Sequence, residues 1–290
     1  MAFYDNMIDI DRRWIYLVLA LAVMIPAIIP FTVPVAVTPE VNDIFQFVDT
    51  LEAGDYMFLG IDYDPSSMAE LHPMCRAIMA HCFSKDINLI MCSLSQNGQG
   101  MAEQIIDEIS ARYNKKSGED YCFLGYKPYF ALVILTMGLN FRVTYPNDVY
   151  GVSLDEMPVM DGIRNYNDCA GVIGFESGNI ADAWIAYANG RYDTPVALGV
   201  TGVMAANYYP YLQTGQLFGL MPGMKGAAEY ETLFKQRLER LPEKDPSEDE
   251  RMVARESMAY QTTSHIVILF FIIISNIGFF LSRKHEKKII

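Results

Sequence analysis

Two runs of uncharged residues, one near each end, constrain this chain more than any other feature. Trp14 to Val37 (WIYLVLALAVMIPAIIPFTVPVAV) is 24 residues long, and Ile266 to Ser282 (IVILFFIIISNIGFFLS) is 17. A helix rises ~1.5 Å per residue, so ~20 apolar residues cross a hydrocarbon core. The first run is long enough. The second sits at the short limit, where a helix-forming stretch before it would supply extra length. Both are expected to be transmembrane helices, over 14–37 and 266–282. Pro26, Pro30 and Pro34 recur four apart. Each removes a backbone donor, so the second half of the first run is expected to be kinked or extended. That run also exceeds the ~7–15 apolar residues of a cleaved signal peptide, and it reads as a signal anchor.

Orientation follows from the basic residues beside the spans. Arg12 and Arg13 flank the first, and Arg283, Lys284, Lys287 and Lys288 follow the second, against only Arg251 and Arg255 close to the spans on the inner side of the sequence. Six against two puts both ends in the cytoplasm and the middle outside it, facing the periplasm or the cell exterior. The expected organisation is a cytoplasmic N-terminus (1–13), a span (14–37), a folded domain (38–240), a linker or helix (241–265), a span (266–282) and a basic tail (283–290). Five cysteines, none in a CxxC or Cys/His ligand spacing, read as small buried hydrophobes. Free thiols are commoner in reducing compartments, which pulls against the outward orientation.

Hydrophobic residues make up 51% of the chain, too many for a disordered protein. Acidic residues outnumber basic ones 35 to 22, for a net charge of −13. Such a surface repels phosphate backbones, which argues against nucleic-acid binding. Between the spans, continuous apolar runs alternate with helical spacing. YMFLGID (56–62), NLIMCSL (88–94), YCFLGY (121–126), CAGVIGF (169–175) and VALGVTG (196–202) read as buried strands. Helices are expected around 41–51, 66–84, 101–113 and 179–190, and YFALVILTMG fits either state. Strands apolar on both faces and separated by helices mean a mainly parallel, doubly wound, Rossmann-like α/β domain.

Open parallel sheets bind ligands beyond the carboxyl ends of their strands. The polar residues there are Asp62 and Asp64, Ser93 and Ser95, Lys127, and Glu176. Asp62, Asp64, Ser95, Lys127 and Glu176 are the candidate ligand-binding set, with Asp62 and Asp64 the only catalytic candidates. GIDYDPS resembles the first motif of haloacid-dehalogenase-type phosphatases. That resemblance implies Asp62 as nucleophile, Asp64 in proton transfer, Ser93 or Ser95 in the second motif, and Lys127 as phosphate clamp. The chain departs from the pattern where a later acidic pair should complete a metal site, since only Glu176 is there, and Pro65 leaves no room for a flap. No metal ligand set is expected, and no cofactor follows from the sequence.

The segment QTGQLFGLMPGMKGAAEYE (213–231) places Gly215, Gly219 and Gly223 four apart, with Gly226 three further on. On a helix these would form a smooth face for close approach. In a loop they would be turn glycines, as Pro222 favours. With Tyr208, Tyr209 and Tyr211 just before, they are the candidate interface. LGIDYDPSSMAELHPM, LGYKP and GQLFGLMPGMKGAAEYE together resemble an uncharacterised family of bacterial membrane-anchored α/β-domain proteins with a GQL-x-GL…GAAEYE signature. The likeness implies the fold and no activity. The expected function is a membrane-anchored structural or interaction subunit of a larger assembly, whose partners are the lipid bilayer and other membrane subunits or a second copy. A small-ligand or metal-binding sensor and a phosphohydrolase built on Asp62 and Asp64 are the alternatives.

Overall fold

The structure is a computed structural model and describes residues 11–29, 31–240 and 252–286. It divides into two units, residues 35–254 and the two chain ends together. In the terminal unit, α1 spans Arg12–Ile28 and is capped by Asp11, whose carboxylate accepts from the Arg13 N–H at 2.9 Å. It carries Pro26 in its last turn and stops at Ile29, whose backbone has left the helical region. A residue that precedes a proline is pushed out of the helical region, which is why the helix ends there. Residues 31–37 carry neither helix nor strand.

Where the sequence leads one to expect a span over 14–37, the helix has 17 residues, about 25 Å at the helical rise and short of a ~30 Å core, so a first span is not shown. The other end is longer than expected. A single helix runs Val253–Glu286, and within Val253–Leu281 an 18-residue stretch has a mean hydropathy of 2.3 and is 6% buried. Among the described residues it is the one helix long and apolar enough to cross a membrane. The expected linker at 241–265 thus becomes helix from residue 253, and 241–251 lie outside the described residues.

The central unit is built on six parallel strands: β1 Tyr56–Asp62, β2 Asn88–Ser93, β3 Tyr121–Tyr126, β4 Val172–Glu176, β5 Val196–Val200 and β6 Gly219–Pro222. Their order is β3-β2-β1-β4-β5-β6, the doubly wound arrangement. On one face lie α2 (Pro39–Thr50), α3 (Met68–Ser84), α4 (Gly98–Arg112) and α10 (Gly223–Leu238). The other face is covered by α5 (Phe130–Met137), α6 (Phe141–Thr144), the 145–168 excursion with three short 3-10 turns, a helical segment from Ile180 to Tyr192, and α9 (Ala205–Gln213). That segment is α7 (Ile180–Ala183), a π-helical turn Trp184–Asn189 and α8 (Gly190–Tyr192).

Side chains alternate across each strand. Phe58, Val172 and Leu198 therefore join the second face's core, where Phe141, Tyr166 and Trp184 pack on Phe58. The chain crosses from one face to the other after β3, so β1 and β4 become neighbours and the order reverses between them.

Candidate functional site

The reversal between β1 and β4 is where an open α/β sheet splays its loops apart. The last register pair there is Asp62 opposite Glu176. Two residues earlier, on the same face, Gly60 stands opposite Gly174. Neither glycine leaves room for a side chain. A Cβ on Gly60 would sit 3.0 Å from the Trp184 ring and 3.1 Å from Asp62 Oδ2, and one on Gly174 would sit 2.8 Å from Glu176 Oε1. The two glycines form a slot in the sheet face, with the Trp184 indole laid into it. The π-helical turn delivers that indole; such wide turns concentrate at functional sites.

Asp62 is tied from two sides. Its Oδ1 accepts the Leu94 N–H from the loop after β2, and its Oδ2 accepts the Trp184 Nε1–H at 3.1 Å. Glu176 is fully buried, and neither of its oxygens has a donor. Burial, and then the facing Asp62 carboxylate, push the Glu176 carboxyl well above the usual range. Burial raises Asp62 too, but its donors and Glu176 hold it back. As an anion Glu176 has only a slight pull from the Trp184 N–H, which is already bonded to Asp62; as an acid it has an acceptor in Asp62. The pair is thus a neutral Glu176 beside a hydrogen-bonded Asp62 carboxylate, since two adjacent buried carboxylates do not both ionise.

The other candidates stand apart from this pair. Asp64 closes the turn before α3, accepting from the Ser66 N–H at 2.9 Å and the Ser66 hydroxyl at 2.6 Å, and the Ser66 hydroxyl bond holds its carboxyl below the usual range. Ser93 spends its hydroxyl on the Ile61 and Ser95 carbonyls, at 2.8 and 3.1 Å. Ser95 meets the pair through its backbone N–H to Asp62. Lys127 lies 5.2 Å from the centre of the Tyr145 ring. The phosphatase resemblance needs Asp62 and Asp64 open to one substrate. Here Asp62 is buried under Trp184 and Asp64 caps a turn. Among the described residues, no three His, Cys, Asp or Glu side chains converge as a metal-ligand set.

The glycine segment does not form one helical face. Gly215 is an exposed turn residue with φ +75°, and Gly219 opens β6 against α2. Gly223 starts α10 with φ +56° close against Gly202, and Gly226 packs on the Met221 backbone. Three of the four glycines are internal packing. Of the tyrosines, Tyr208 is in the core, Tyr211 packs on it, and Tyr209 is exposed with its hydroxyl 3.3 Å from Glu40. Trp184 has no local signature in the sequence; the paired G-x-D and G-x-E strand endings are the feature that could have marked the slot it fills. Searches against protein-family models, curated proteins and solved structures returned no match.

Proposed function

We propose that the chain is a membrane-anchored structural or interaction subunit of a larger membrane assembly. Its anchor is two-pass, with both termini in the cytoplasm of a bacterial inner membrane and the α/β domain outside. The likeness to membrane-anchored α/β-domain proteins points the same way. One observation carries the interaction reading. The strand-end crevice, where an enzyme of this fold would hold its substrate, is filled by Trp184 and a tied acid pair. Large apolar side chains gather instead on α5, α6 and their flanks. Tyr129 is 81% exposed, Leu132 61%, Leu139 65% and Val143 70%. A soluble surface tolerates such residues singly, but clustered they mark a contact surface. Beside them a shallow apolar groove of about 500 Å³ runs between α5 and the π-helical turn, lined by Leu135, Leu139, Ala186 and Tyr187.

The reading is tested by native mass measurement of the full chain in mild detergent. A defined oligomer or hetero-complex is expected. The double variant Leu132→Glu, Val143→Glu should shift it to smaller species without changing the far-UV circular dichroism. A wild-type chain that is monomeric and alone at every detergent level would overturn it.

A further inference from the structure

We propose that Asp62 and Glu176 form a one-proton binding site, and that the bound proton keeps the π-helical turn Trp184–Asn189 seated on the sheet. This stands independently of the assembly reading. The strand register fixes the two carboxyls side by side on one face. Adjacent parallel strands lie ~4.8 Å apart, so the two groups cannot avoid one another. Both Asp62 oxygens already accept donors, from Leu94 and Trp184. That arrangement casts Asp62 as the acceptor and leaves Glu176, with no donor on either oxygen, as the acid.

Among the described residues, the groups facing the pair supply no positive charge. Cys92 comes from β2, Tyr145 from the segment after α6, and Tyr208 from α9. All three are held in their neutral forms by burial, which raises the Cys92 thiol and both phenols. Lys127 lies over the Tyr145 ring. Charge on the pair is therefore balanced only by the proton between its members.

The mechanical link is Trp184. Its ring fills the slot left by Gly60 and Gly174, and its Nε1–H is spent on Asp62. Loss of the proton breaks the Glu176 O–H bond, passes the proton to water and leaves two carboxylates adjacent in a dry site. Two like charges there are relieved by letting water in, and the lid over them is the indole. Lifting Trp184 moves the turn that carries Ala186 and Tyr187, both in the wall of the apolar groove. The site would thus set the shape of that groove according to pH.

The chain has two tryptophans, Trp14 and Trp184, so Trp14→Phe leaves Trp184 as the sole reporter in the full-length protein. Its emission is followed in detergent from about pH 5 to about pH 10, beside the infrared carbonyl band of a protonated carboxyl. At neutral pH the band should be present, and absent from Glu176→Gln. As pH rises, band loss and a red-shifted, acrylamide-accessible emission should share one single-proton midpoint, with unchanged far-UV circular dichroism. In Trp14→Phe, Glu176→Gln the emission should not move. If that variant does not fold, coincidence of band and emission in Trp14→Phe decides alone. A missing band at neutral pH, an emission that stays fixed while the band titrates, or a transition that persists in a folded Glu176→Gln would overturn the proposal.

Discussion

At Gly219 a hydrogen is the largest substituent the fold admits. A Cβ there would overlap Ile44 Cγ1 and lie 2.9 Å from the Glu40 carbonyl, both on α2. Glu40's carbonyl is backbone and cannot step aside, so Gly219→Ala pushes β6 off α2. Overpacking of this kind costs about 1–3 kcal/mol. The expected outcome is a lower urea midpoint for the central domain with oligomer size unchanged at low denaturant. A smaller assembly with unaltered stability would instead return Gly219 to an interface role. Gly223 is constrained for a second reason, since φ +56° is a region that favours glycine. Spacing alone could not separate these roles. Four-residue intervals read as a helix face, whereas the chain spends one glycine on a turn, one on a strand, one on a left-handed junction and one inside a helix. The tertiary neighbours, Ile44 and Gly202, lie far away in sequence.

The elements themselves were largely legible. β1 and β3 have the bounds that their apolar runs imply, and β2, β4 and β5 differ only at their ends. Strands covered on both faces are apolar throughout, and that pattern is hard to hide. β6 was missed because four residues beginning with glycine carry too little apolar signal to register as a strand. The π-helical turn was missed because its sequence, WIAYAN, has no local signature.

A buried network between α2, α3 and α10 was hidden for a similar reason, its partners being 32 and 149 residues apart. His81, fully buried, sits with Nδ1 2.8 Å from the Tyr230 hydroxyl and Nε2 3.4 Å from Asp49, which also accepts from Arg237 at 2.7 Å. These partners fit the Nε2–H tautomer, donating to Asp49 and accepting from Tyr230. Burial pulls the imidazole down to about 4 from an ordinary 6.5, and its bond to Asp49 holds that carboxyl below the usual range. A lowered histidine favours folding while it stays neutral. Its contribution is present above about 6.5 and is lost as pH falls toward about 4. Asp49 adds a further loss at lower pH. The thermal midpoint should therefore drop across that window, and His81→Phe, which keeps the ring stacked on Phe45, should flatten the drop. An equal slope in both proteins would remove His81 as its source.

For the whole molecule, orientation is the consequence that matters most, and two features of the sequence disagree about it. The basic residues favour an outward domain, while five unpaired cysteines suit a reducing compartment. Burial reconciles them. All five cysteines are buried, and burial pushes Cys82, Cys122 and Cys169 up to about 12. A thiol without thiolate character and without access is inert to oxidation, so the cysteines place no limit on the compartment. The Lys/Arg count beside the spans is then the feature that bears on orientation, and the domain's own charge of −15, from 31 acidic and 16 basic residues over 38–265, supports neither side. The same burial makes the experiment clean, because native thiols contribute little background to a membrane-impermeant thiol reagent. A cysteine introduced by Ser247→Cys, between the domain and the C-terminal helix, should label in intact cells from which the outer barrier has been removed. Labelling that appears only after lysis would put the domain in the cytoplasm and reverse the topology, leaving the α/β fold as it is.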